Sequence, residues 1–237
     1  MKLVKVKNYK ELSRKASDIL INEISKKPNL VLGFATGETP LGLYKELVMA
    51  YKKRKVDFSK IKSFNLDEYY PMKKRDKNSY YFFMHNNLFD KVNLNKFNIN
   101  FLNGETKDAE KECKNYERKI KKNPIDIQIL GVGVNGHIGF DEPGSREDSK
   151  TRLVRLTDST IESNFKIFKH GKIPDKALTM GIGTIMASKK IILLANGRAK
   201  KEAIRHLIKG PVTERWPVSY LRKHKDMVLI ADKACLG

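Results

Sequence analysis

Three short stretches carry residue types suited to proton transfer and anion binding. Asp67 and Glu68 follow the apolar run IKSFNL, which places a carboxylate at the end of a strand with the fixed aim that general acid or base work needs. The competing role for Asp67 is a cap on the segment that follows. His137 lies in the glycine-flanked run NGHIG, five residues before Glu142. Imidazole changes charge near neutral pH, and a nearby carboxylate orients the ring and favours its charged form. Glycines 131, 133, 136 and 139 remove bulk around it, so a substrate gains access to the backbone. The alternative is a satisfied structural histidine. Thr36-Gly37-Glu38-Thr39-Pro40 sits between a strand pattern and a helix pattern that starts near Leu41. Free amides at a helix start face an anion, and proline in the first turn wastes no hydrogen bond. Thr39 acting only as an N-cap is the plainer reading. Lys166 and Lys200 offer charge to such a site, although a surface lysine is the commoner case.

These groups need rigid elements to aim them. Continuous apolar runs at residues 30–35 (LVLGFA), 61–66 (IKSFNL), 125–131 (IDIQILG), 191–195 (IILLA) and 227–231 (MVLIA) read as strands buried on both faces. Helix-compatible stretches lie at 8–25, 41–52, 78–89, 108–121 and 198–209. Alternation of the two types predicts one open α/β domain over residues 1–237, doubly wound, with a mostly parallel sheet and helices on both faces. Ligands of such sheets bind beyond the carboxyl ends of the strands. The loops TGETPLG, DEYYP and VGVNGHIGFDEP, each following a strand, are therefore expected to converge on one site.

Composition narrows the class. The 237 residues are 40% hydrophobic and 32% charged, which fits a globular chain with one core. No apolar run is long enough to span a membrane or to form a signal peptide, so the chain is expected to be cytoplasmic. Cys113 and Cys235 form no CxxC pair or zinc spacing. The formal charge of +21 steers anions towards the surface. The lysines are scattered, and no zinc-finger spacing, GXXG loop or aromatic RNP pattern accompanies them, so nucleic acid is a disfavoured partner. GxxxxGK[ST], HExxH and GxSxG are absent, and the GVGVNG run precedes no long helix pattern. Nucleotide triphosphates, metal-assisted hydrolysis, serine chemistry and a nicotinamide cofactor are all disfavoured on those grounds.

FATGETPLGLYKEL, FNLDEYYP, NSYYFFMHNNLF, LGVGVNGHIGFDEPGS and KALTMGIGTIMASKKIILLANGRAKKEAI occur in this order. Together they resemble the glucosamine-6-phosphate deaminase family over most of the chain. The resemblance implies a fold related to ribose-phosphate isomerase and 6-phosphogluconolactonase, and conversion of glucosamine 6-phosphate with water to fructose 6-phosphate and ammonia, without metal or redox cofactor. It implies that Asp67 moves a proton between C2 and C1 of the opened sugar. His137 assists ring opening and Glu142 tunes it. Phosphate contacts come from Thr36 through Thr39, with Lys166 and Lys200. Asn135 stands where some members carry an aspartate, which places more of the support for His137 on Glu142. Glu38 replaces a small residue, so its carboxylate is expected to point outward or towards a lysine, and Lys166 replaces an arginine. Of the effector-pocket residues of some hexameric relatives, Ser145 and Arg152 match but Val154 replaces a lysine. Little activation by that route is expected, and a monomer or small oligomer. The other readings are 6-phosphogluconolactonase, a sugar-phosphate isomerase, or a noncatalytic sugar-phosphate sensor.

Overall fold

The computed structural model describes residues 1–157, 160–162, 168 and 174–237. Seven strands form a parallel sheet: β1 (Lys2–Val6), β2 (Val31–Phe34), β3 (Lys62–Asn65), β5 (Ile99–Asn100), β6 (Ile127–Leu130), β9 (Lys190–Ala195) and β10 (Met227–Asp232), in the order β1-β10-β9-β6-β2-β3-β5. Each neighbouring pair is parallel. Alternate residues of the central strands enter different cores. Ile191 and Leu193 of β9, with Met227 and Leu229 of β10, join one cluster, while Ile192, Leu194, Val228 and Ile230 join the other. Burial on both faces explains why these strands read as unbroken apolar runs, and each fully buried side chain contributes roughly 1.5–3 kcal/mol.

Helices α1 (Tyr9–Lys26) and α2 (Glu38–Lys52) cover one face, with α3 (Tyr80–Asn87) adding Met84 there. Helix α1 starts where the Asn8 side chain accepts from the Glu11 amide at 3.0 Å, and it buries Leu12, Ala16, Leu20 and Ile24 at helical spacing. Helices α4 (Ala109–Lys122) and α6 (Lys201–Lys209) cover the other face through Tyr116, Ile120, Ile204 and Leu207. Two short helices, α5 (Ile182–Met186) and α7 (Lys233–Leu236), lie before β9 and after β10.

A second, antiparallel sheet of β4 (Asp67–Tyr70), β8 (Lys176–Thr179) and β7 (Arg152–Arg155) was not expected from the sequence. DEYYP is therefore the start of a strand and not a loop. Leu66 is the hinge between the sheets: its N–H donates to Phe34 O at 2.9 Å and its carbonyl accepts from Met180 N–H at 2.9 Å. Asp67 opens β4 opposite Thr179. Successive crossovers from β2 run outward to β3 and β5, whereas β6 begins the return towards β9 and β10. The boundary between β2 and β6 is thus the switch point at which open sheets place ligands.

Candidate active site

The loop after β2 turns at Gly37, whose φ of 100° favours glycine, and a Cβ there would meet nothing within 4 Å. Gly37 is the N-cap of α2 and provides no side-chain cap. The helix begins at Glu38, three residues before the expected start, so Thr39 lies inside the first turn and its plainer role as the N-cap is corrected. Among the described residues no side chain caps the first-turn amides of Glu38, Thr39 and Leu41, a configuration suited to an anion. The hydroxyl of the half-buried Tyr80 donates to that of Tyr69 at 3.3 Å, which ties α3 to β4. Glu38 points into solvent. Burial pushes the Lys200 ammonium below its ordinary pKa, and the negative charge of Glu38 pushes it back up. Glu38 therefore faces outward beside a lysine, as its replacement of a small residue required. Lys166 lies outside the described residues.

Asp67 is 5% exposed and its Oδ1 is buried without a hydrogen-bond partner among the described residues. Burial raises its pKa well above the ordinary carboxylate value, and the charges of Glu68 and Asp141 add to the rise. Glu68, not Asp67, does the capping: it accepts the amides of Tyr69, Tyr80 and Tyr81 at 2.9 Å each. Burial lifts the Glu68 carboxyl to about 7 against those three bonds. The neighbour thus fixes the start of α3 and leaves Asp67 uncommitted.

His137 is held by a compact turn. Gly133 N–H donates to His137 O at 2.9 Å, Gly136 N–H to Gly133 O at 3.1 Å, and His137 N–H to Asn135 Oδ1 at 3.2 Å. A Cβ at Gly133 would lie 2.2 Å from His137 Cε1, so the ring packs where only glycine leaves room. His137 Nδ1 stands 3.6 Å from Glu142 Oε2, an ion-pair separation beyond hydrogen-bond length. Asn135 Nδ2 donates to the same oxygen at 2.8 Å, and the Thr160 hydroxyl donates to Oε1. Burial opposes ionisation of Glu142, but His137, Thr160 and Asn135 outweigh it and hold the carboxyl at about 2. Asn135 therefore acts on Glu142 and on the His137 backbone at once.

Several supporting groups had no local signature in the sequence. Thr160 reaches Glu142 across 18 positions. Trp216 packs over Gly136, Val218 N–H donates to Gly136 O at 2.8 Å, and Gly144 N–H donates to Glu214 O at 2.9 Å. Segment 214–218 thus clasps both ends of the histidine loop. Arg152 donates to Asp141 Oδ1 at 2.7 Å and to Ser145 Oγ at 3.2 Å. The two residues matching an effector pocket are consequently bonded to each other, and Val154 packs at the edge of the apolar cluster around Tyr69 and Phe140.

Strands β6, β2 and β3 are adjacent; the loops that leave β6 and β2 carry His137 and the Thr36–Thr39 turn, and the chain leaving β3 passes through Leu66 into β4, which Asp67 opens. Two titratable side chains and a helix start with no side-chain cap, gathered at a switch point, form an arrangement chemically able to serve acid–base work on an anionic substrate. The sequence pattern described as glucosamine-6-phosphate isomerases/6-phosphogluconolactonase matches residues 6–230. A glucosamine-6-phosphate deaminase of Clostridium novyi (strain NT) is 52% identical over 235 residues, covering 98% of both chains. One from Clostridium botulinum (strain Kyoto / Type A2) is 51% identical over 235 residues, 98% of this chain and 96% of the relative. A solved structure of a monomeric glucosamine-6-phosphate deaminase superposes with a TM-score of 0.97 at 40% identity, covering 100% of this chain and 99% of that one. The 6-phosphogluconolactonase of Thermotoga maritima shares the fold, with a TM-score of 0.78 at 19% identity over 98% of this chain and 99% of that one. The chain belongs to the glucosamine-6-phosphate isomerase/6-phosphogluconolactonase family. Among the described residues, no helix is long and apolar enough to cross a membrane.

Proposed function

We propose that this chain isomerises and deaminates glucosamine 6-phosphate, giving fructose 6-phosphate and ammonia, and that the residues at the switch point carry the reaction. The observation that supports it most directly is the buried, uncommitted carboxylate of Asp67 on the strand end beside the loops bearing His137 and the uncapped α2 start. The phosphate sits on the amides and hydroxyls of the Thr36–Thr39 turn with Lys200, and Glu38 contributes through its backbone. His137, with Nδ1 facing Glu142, presents its other nitrogen to the ring oxygen and transfers the proton that opens the ring. The opened sugar has an aldehyde at C1, which acidifies the C2 proton. Asp67 takes that proton and returns one to C1, turning the C2 amine into an imine. Water adds at C2, ammonia leaves, and a ketose phosphate remains.

The elevated pKa of Asp67 fits this role, since a carboxylate taken out of water is a stronger base once ionised. The protonated amine of the substrate brings the positive charge that offsets Glu68 and Asp141 and ionises Asp67 on binding. The chain acts as one domain over residues 1–237, a reading supported by an apolar cluster that runs from β3 through β8 to β10. A monomer or small oligomer in the cytoplasm is the proposed setting, in keeping with the free, buried Cys113 and Cys235 and with the monomeric relative.

A coupled assay of ammonia and fructose 6-phosphate tests the reading. Equal release of both products is expected, with Asp67→Asn losing at least about 1,000-fold in kcat while sugar-phosphate binding persists. Ring hydrolysis of a phosphogluconolactone to the acid, with no ammonia from the amino sugar, would move the chain to the lactonase branch. Tight binding without turnover would make it a sensor.

A further inference from the structure

A cavity of about 280 Å³ opens beside β5, and none of the residues placed at the switch point lines it. Lys74 from the β4–α3 connection, Lys96 from the turn before β5 and Lys119 from α4 line it, together with Tyr81, His85 and Phe101. No acidic side chain lines it, and none of the three lysines makes an ion pair among the described residues. Three cations from three separate elements repel one another, an arrangement that an anion relieves. The aromatic floor is ordered: Tyr81 stacks on His85 at 4.2 Å and packs on Phe101 at 5.0 Å, and Lys74 Nζ lies 5.6 Å from the Tyr81 ring centroid. His85 Nδ1 is 2.7 Å from Asp90, which orients the imidazole, while Nε2 is buried with no partner among the described residues. A buried polar atom without a partner calls for a ligand or a water.

We infer that this cavity is a second binding site for a small phosphomonoester or inorganic phosphate, separate from the catalytic crevice. Its volume falls just below that of pockets for drug-sized ligands, about 300–1,000 Å³, so it suits a phosphate group with at most a small sugar attached. The lysines supply the charge, His85 the oriented ring, and the Tyr81 and Phe101 faces the apolar surface on which a sugar ring rests.

The test is a titration of the full ¹⁵N-labelled chain with inorganic phosphate and, separately, with fructose 6-phosphate, followed by amide shifts. The amides of Tyr81, His85 and Phe101 are expected to move saturably, on a curve separate from that of Gly37 and Thr39. The exposed pair Lys74→Gln/Lys119→Gln should weaken the first curve by about tenfold or more and leave the second in place, so the second reports that the variant is folded. Response to both probes identifies the phosphate as the determinant, and response to fructose 6-phosphate alone identifies the phosphorylated sugar. Lack of a saturable shift at Tyr81, His85 and Phe101 with either probe, or an unchanged curve in the double variant, would overturn the site.

Discussion

Substituting Gly133 by alanine isolates the positioning of His137 from the rest of the site. The added Cβ would lie 2.2 Å from Cε1, 2.3 Å from Nδ1 and 2.5 Å from Nε2 of the ring. Ordinary contact begins at 3.4 Å, so the shortfall at Cε1 is 1.2 Å. The backbone at Gly133 is not in the left-handed region, so alanine is tolerated there and the whole conflict falls on the imidazole. Either the ring moves by about 1 Å or the turn opens, at a cost of roughly 1–3 kcal/mol. Displacement on that scale misaligns the proton transfer and separates Nδ1 from Glu142, a loss of about 100-fold in kcat. The phosphate cradle lies on a different loop, so KM for glucosamine 6-phosphate should change less than about threefold. Steady-state kinetics combined with urea unfolding reads both effects. A Gly133→Ala enzyme with parental kcat would refute the placement of His137 at the reacting centre, and a KM rise with kcat retained would transfer the residue to substrate binding.

Two further outcomes follow from the charged groups. The Glu142 carboxyl is held at about 2 from an ordinary 4.5, so the stability it contributes is complete above the ordinary value and is lost as pH falls towards about 2, up to ~3 kcal/mol in all. Urea-derived stability of Glu142→Gln should therefore lie below the parent at neutral pH and approach it as the buffer is acidified through that window, whereas a constant gap would remove the ionic account. Glu38 supports the charge on Lys200 against burial. In Glu38→Gln, Lys200 loses its proton at lower pH than in the parent, so the alkaline rise in KM for the sugar phosphate should begin at lower pH while KM at pH 7 stays near the parent value. A variant that binds more tightly at both pH values would mean that Glu38 repels the phosphate.

How much of this was legible in the sequence depended on distance along the chain. LVLGFA, IDIQILG, IILLA and MVLIA were readable as strands because burial on both faces removes polar residues over the whole run. The anion turn was readable because a glycine with positive φ, a threonine and a first-turn proline are local requirements. The antiparallel sheet was not. Its strands DEYY, RLVR and KALT have four residues each, too few for a two-residue period to stand out, and β4 meets β8 more than a hundred positions away. Strand β1, KLVKV, lies at the sheet edge, and the exposed Lys2 and Lys5 interrupt its apolar residues, so no apolar run marked it.

The same limit governs the electrostatics, where residue type and residue behaviour part company. Asp67, Glu68, Asp141 and Glu142 are four carboxylates with one chemistry in free solution, and the fold gives them four fates. Asp67 is left buried without a partner on Oδ1 among the described residues, and burial raises its pKa well above the ordinary range. Glu68 holds three amides, and Asp141 accepts a hydrogen bond from Arg152, yet burial still lifts both to about 7. Glu142 alone is held far below its ordinary value, because a histidine, an asparagine and a threonine converge on it. The division is the one the proposed roles require, an enduring negative charge beside the histidine and an ionisable base for the carbon chemistry, since a carboxylate already paired with a cation would be a weak base. An amino-sugar substrate fits this division better than a neutral sugar, because its ammonium group supplies a positive charge that no described residue brings to Asp67.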